Sequence, residues 1–244
     1  MSQLIRDFTS NLLTTIIFSS TFEVEKIIEG HMVATHLYVK EVEINTRLVA
    51  FDVTREELVN VVREVVGARA DAVDDDPVTA AGLFAYIHGT RNTRSLFRSK
   101  GWRHDRKENI EAVRHFERNL KVVYQSVDVA CDEKHIPQAI SGKGSGAERA
   151  IDQAQGSLFS DRDLDAVTFQ PVTAPPSGVW FFCVSVNGED VRAELSKAAG
   201  VLNGNFRRFE ERIFIIRKGE WEKVRVKKDN EPDGTEFEPV IRRK

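Results

Sequence analysis

The residues from Thr54 to Val66 constrain this chain most. Thr54 is followed three residues later by Glu57. That spacing makes a capping box, in which hydroxyl and carboxylate each satisfy an amide left open at a helix start. Leu58, Val61, Val62, Val65 and Val66 then recur at helical spacing as one apolar stripe. The pattern predicts a helix that ends at Gly67 or just after it. A helix apolar on one side must cover a second surface, so the chain needs a packed core.

The remaining elements follow from similar patterns. Residues 4–18 carry an apolar run that periodicity leaves open between helix and strand. Phe22 to Ile28, Met32 to Val39 and Val42 to Phe51 are rich in β-branched and aromatic residues and predict two or three antiparallel strands. Asp71 and Asp74 to Asp76 precede Pro77, which suits a helix from Pro77 to about Ile87. A second helix is expected from about Asn109 to Leu120, with Ile110, Val113, Phe116 or Glu117, and Leu120 inward. Lys121 to Ala130 alternates as a strand with at least one buried face. Residues 131–145 read as a loop and Gly146 to Gln155 as a short helix.

Residues 156–178 hold Gly156, Pro171, Pro175, Pro176 and Gly178 and read as a linker or long loop. Beyond them, Val179 to Val186 is a strongly apolar strand and Asn187-Gly188 a turn. Glu189 to Ala199 reads as a helix closed by Gly200. Glu211 to Arg217 and Trp221 to Lys227 read as a hairpin around Lys218-Gly219. The expected division is therefore 1–155, a linker at 156–178, a β-α-β-β unit at 179–228 and a polar tail at 229–244. The sequence leaves open whether the last unit shares a core with the first. Strands clustered at both ends favour an α+β fold with a mixed, mainly antiparallel sheet.

Composition sets the function classes. The 244 residues are 41% hydrophobic and carry a formal net charge of -3, which names no partner by itself. Two cysteines, Cys131 and Cys183, cannot build a disulfide framework and read as free thiols of a cytoplasmic protein. No stretch approaches the length needed to span a membrane.

Four features could carry chemistry. The segment 91–121 has ten basic residues against four acidic ones, an excess of six positive charges in a slightly acidic chain. Arg91, Arg94, Arg98, Lys100, Arg103 and Arg106 would neutralise phosphates, and Trp102 would stack on unpaired bases. The competing reading is a solvated face with Trp102 anchoring the core. Next, Gly142, Lys143, Gly144, Ser145 and Gly146, with Arg149 behind them, could cradle a phosphate on turned amides. The spacing is not that of a Walker loop. Third, Asp128, Asp132, Lys134 and His135 cluster beside Cys131. Asp132-Glu133-Lys134 fits the acid-any-lysine pattern of metal-dependent nucleases, as does Asp105-Arg106-Lys107. A divalent metal is implied only if this is a nuclease, and no zinc spacing is present.

The fourth is the word Tyr86-Ile87-His88-Gly89-Thr90-Arg91. It is similar to the His-Gly-Thr motif of ADP-ribosyltransferases, where the histidine holds the nicotinamide ribose. The resemblance covers a handful of residues. It would also require a strand tyrosine and a late glutamate, for which Tyr124 and Glu148 are the available residues, and a helical context for His88 would break it.

Together these features predict a nucleic-acid-associated protein, either a nuclease or the binding subunit of a prokaryotic or phage system. A nucleotide-binding enzyme using the glycine loop is the alternative. A non-catalytic subunit with a protein partner, or a homo-oligomer, is the third reading.

Overall fold

The structure, a computed structural model, describes residues 35–107, 110–140, 176–202 and 205–222. Its strands are β1 (His36–Tyr38), β2 (Arg103–Asp105), β3 (Ala112–His115), β4 (Leu120–Ser126), β5 (Gly178–Asn187), β6 (Asp190–Leu202) and β7 (Asn205–Ile216). Its helices are α1 (Glu41–Leu48), α2 (Arg55–Ala70) and α3 (Ala80–Ser99), with a 3-10 turn at Val49–Phe51. The strands form one sheet in the order β1-β7-β6-β5-β4-β3-β2. β1 runs parallel to β7 and β4 parallel to β5, and the other neighbours are antiparallel. This is an α+β fold with a mixed, mainly antiparallel sheet. No described helix is long and apolar enough to cross a membrane.

α2 starts where its local signals place it. Thr54 Oγ1 accepts from the Glu57 amide while the Glu57 carboxylate accepts from the Thr54 amide. Leu58, Val61, Val62 and Val65 are buried, each contributing about 1.5–3 kcal/mol by leaving water. The helix runs through Gly67 to Ala70, because buried Ala68 extends its inner face.

α3 departs further from expectation. It begins at Ala80 and passes through His88-Gly89 to Ser99. Ala85, Gly89, Thr93 and Phe97 are buried at steps of four, so the inner stripe does not stop at Ile87. A methyl group on Gly89 would overlap the Tyr124 ring, and the missing side chain therefore lets α3 approach β4 closely. The stop comes at Gly101, at φ +88°. Its amide donates to Arg98 O (3.0 Å), and the Trp102 amide donates to Phe97 O (3.2 Å). These two bonds are a Schellman closure, and the Phe97 and Trp102 rings meet over it at 4.7 Å.

Five expected elements are corrected. Residues 42–51 are not a strand. Ile44, Leu48 and Phe51 are buried at helical spacing while Val42 and Val49 face solvent, which suits α1 and the turn after it. Of the stretch 32–39, only His36–Tyr38 is a described strand, and it is parallel to its neighbour. Residues 109–120 are not a helix: β3 crosses to β4 through a turn at Phe116 to Asn119, with Asn119 at φ +49°. Val113 and Leu120 are buried as expected, but on facing strands, and Phe116 is exposed. Residues 189–199 are also not a helix, so the C-terminal order is β-β-β. Asn187-Gly188 closes a tight hairpin, and β6 alternates Val191, Ala193 and Leu195 toward the helices against Arg192, Glu194 and Ser196 on the other face. Finally, Glu211 to Ile216 belongs to the β6–β7 pair, and Lys218-Gly219 forms a turn after it.

The sheet has two dressed faces. One carries Val113, Val122, Tyr124, Trp180, Phe182, Leu195 and Ile213 against the helices. The other carries Ala112, Val123, Phe181 and Cys183, with Val127 and Ala130 from the loop after β4. β5 is buried on both faces, the reason its sequence is a continuous apolar run.

Candidate nucleic-acid interface

The basic segment 91–121 folds into the C-terminal half of α3, the edge strand β2, and β3 with its turn. Five of its cations are engaged by acids. Arg94 pairs with Glu111, which also sits 3.4 Å from Arg106. Lys100 pairs with Glu57 at 2.6 Å, Arg118 with Asp52 at 2.7 Å and Lys121 with Asp105 at 2.9 Å. Of the residues expected to contact phosphate, Arg94 and Lys100 are thus partly spent on holding the fold, and Arg106 shares its carboxylate. Arg91, Arg98 and Arg103 are exposed. Trp102 is 3% exposed, seated between Phe97 and His115. It is a core anchor and is closed to a nucleobase, which corrects the stacking role.

What the fold gathers is a cross-strand row. Arg103 lies directly opposite Arg114, and Arg114 opposite Lys121. Three cations therefore stand side by side on one face of the sheet, toward its β2 end. Like charges directly opposed destabilise a sheet, and here Asp105, on the same face two residues from Arg103, answers Lys121. Burial alone would raise the Asp105 carboxyl. The Lys121 ammonium and the Lys107 amide outweigh that and hold it below the usual range. Arg103 and Arg114 both lie over the ring of Phe116, at 5.9 and 5.0 Å, and Arg114 also donates to Asn119 Oδ1 at 3.0 Å.

On the helix side of the same edge, Arg91, Arg94 and Arg98 share one stripe of α3. His104 of β2 records the field there. Partial desolvation, then the charges of Arg94, Arg98 and Arg106, hold its imidazole below its ordinary range.

Phe116 and Arg114 are the functional candidates that sequence reasoning missed. Reading 109–120 as a helix turned Phe116 inward. The signal that would have found it is Gly101 as a helix stop, which turns the residues after it into strands.

The acidic loop lies elsewhere, over the far face of β5, β6 and β7. Asp128 Oδ2 meets His135 Nε2 at 2.9 Å, and Asp128 Oδ1 accepts the amides of Val129 and Gln138. Asp132 Oδ1 accepts the Lys134 amide. These carboxylates tie the loop to itself. Among the described residues no three metal-donor side chains come together. Beneath the loop, Glu194 accepts from Cys131 N (2.5 Å), Ser196 Oγ (2.8 Å), and Arg212 Nε and Nη2 (2.8 and 2.7 Å). Arg212 Nη1 donates to Asp132 O and His135 O. Cys131 and Cys183 are buried and not joined in a disulfide, and burial pushes the Cys131 thiol well up.

The glycine loop, Gly142 to Gly146 with Arg149, and Glu148 lie outside the described residues, as does the expected helix 146–155. His88-Gly89-Thr90 sits within α3, so the resemblance to ADP-ribosyltransferases fails on context. Tyr124 is on a strand, but its ring packs against Gly89 and burial pushes its hydroxyl up to about 12. A recess of about 300 Å³ between α2 and α3 is lined by Glu57, Arg63, Asn92 and Ser95. Two of its charged residues are paired, Arg63 with Glu56 and Glu57 with Lys100.

Comparison of the chain with protein-family models, with curated proteins and with solved structures finds no match in any of the three.

Proposed function

We propose that this protein binds nucleic acid along the β2 edge of its sheet, through the phosphate backbone. The observation that carries the reading is the cross-strand row Arg103–Arg114–Lys121, three opposed cations with Asp105 as the carboxylate that pairs with Lys121. Such a row weakens a sheet unless an anion lies across it. Violations of this kind concentrate where a surface serves a ligand. Arg91 and Arg98 on α3 extend the positive surface on the other side of the same edge. Binding rather than cleavage is proposed, because Asp128 and Asp132 are occupied by the chain's own amides and imidazole.

The test is fluorescence anisotropy with labelled DNA and RNA oligomers, single- and double-stranded, across a salt series. Binding should weaken steeply with salt. Arg103→Gln with Arg114→Gln should lower the slope by about 0.7 to 0.9 for each phosphate that is no longer neutralised. The same pair should leave the melting temperature unchanged or raise it, since a repulsion is removed. Wild-type protein that binds no oligomer even at low salt overturns the proposal.

A further inference from the structure

We infer that the nucleic acid this edge accepts is single-stranded, and that an unpaired base stacks on Phe116. The inference rests on the nucleic-acid reading above and adds which strand state the site selects. Phe116 is 55% exposed at the tip of the β3–β4 turn, although a phenylalanine gains by burial. Among the described residues its cover is partial: the guanidiniums of Arg103 and Arg114 lie over the ring, 5.9 and 5.0 Å from its centroid, and leave more than half of the residue exposed. The flanking turn residues Glu117, Arg118 and Asn119 are all exposed.

An aromatic ring flanked by phosphate-seeking cations is what an unpaired nucleotide requires. The ring takes the face of the base, which every base presents, and the guanidiniums take the phosphates on either side. Both guanidiniums can also stack on a base themselves. Duplex DNA or RNA offers no such contact, because its base faces are already stacked on one another and only groove edges and backbone are reachable. The cation row alone would accept either form, so Phe116 is the element that discriminates.

The experiment compares wild-type protein with Phe116→Ala and Phe116→Trp, leaving every arginine in place. The probes are labelled oligothymidylate and a mixed-sequence duplex of equal length, at low salt. Oligothymidylate should bind tighter than the duplex. Phe116→Ala should weaken oligothymidylate binding by about five- to a hundredfold and leave the duplex affinity unchanged. Phe116→Trp should restore or tighten it. Thermal melting separates a folding role: an exposed ring should leave the midpoint unmoved. If Phe116→Ala binds oligothymidylate as wild type does, or if the duplex binds tighter, the strand-state inference is overturned. The nucleic-acid reading then survives as long as Arg103→Gln with Arg114→Gln still weakens binding. If wild type binds neither probe, both fall together.

Discussion

Two arginine clusters of this molecule use the same chemistry to opposite ends. At the β2 edge, Arg98 and Arg103 face solvent, and Arg114 stands opposite Arg103 with an aromatic ring for company. Under the loop after β4, Arg212 is 3% exposed and Glu194 fully buried. There every donor group finds an acceptor: Nε and Nη2 go to Glu194, and Nη1 goes to two loop carbonyls. Burial alone would lower the Arg212 pKa. The Glu194 carboxylate overrides this and keeps the guanidinium firmly charged, above its ordinary value. A buried charge is stable only when its partners are complete, whereas an exposed one is stabilised by water and remains free for a ligand. The difference lies in the surroundings, and the side chains themselves are alike.

The largest effect should follow from breaking the buried cluster. Arg212→Ala leaves Glu194 charged without a counter-ion and should cost about 3–5 kcal/mol of stability, read by urea unfolding. Replacing both residues by leucine should not restore full stability. The Cys131 amide and the carbonyls of Asp132 and His135 would still lack partners, at about 1–3 kcal/mol for each one left unpaired. Recovery to wild-type stability would show that the loop does not depend on this anchor.

Asp105 is the intermediate case, buried itself but paired with a lysine that keeps some solvent exposure. Asp105→Asn should cost about 1–3 kcal/mol. Its carboxyl is held below the usual range, so its contribution is complete above the unfolded-chain value of about 3.9. It is lost as pH falls through the lower folded value. Unfolding measured down an acid series should therefore show a shallower loss in Asp105→Asn than in wild type. Parallel curves would remove Asp105 from the acid transition.

At the exposed edge, Arg91→Glu with Arg98→Glu should move stability by no more than about 0.5 kcal/mol while weakening oligonucleotide binding. A large loss of stability would mean that these arginines are structural, like Arg212. The smallest signal belongs to His104. Its imidazole should titrate by NMR below a free histidine. Its pKa should rise when an oligonucleotide is added, because phosphates offset the charges of Arg94, Arg98 and Arg106. An unchanged titration would place the bound strand away from β2.

What the sequence determined alone is what short-range chemistry decides. The α2 cap and stripe, the apolar β5, the Asn187-Gly188 turn and the unbridged cysteines were all legible, because each depends on residues within a few positions of one another or on composition. The α+β class followed from where such patterns cluster. Tertiary structure decided the rest. Gly89 could end a helix by itself, but the ring of Tyr124 makes it a point of close approach and α3 continues. Residues 189–199 carry enough charge to suit a solvated helix. They become β6 because β5 and β7 take up their backbone bonds, and because Arg212, far along the chain, neutralises the glutamate this buries. The cations 103, 114 and 121 look evenly scattered in sequence, and only the antiparallel register sets them side by side. Register is a long-range property, since a shift of one residue would turn every side chain to the opposite face.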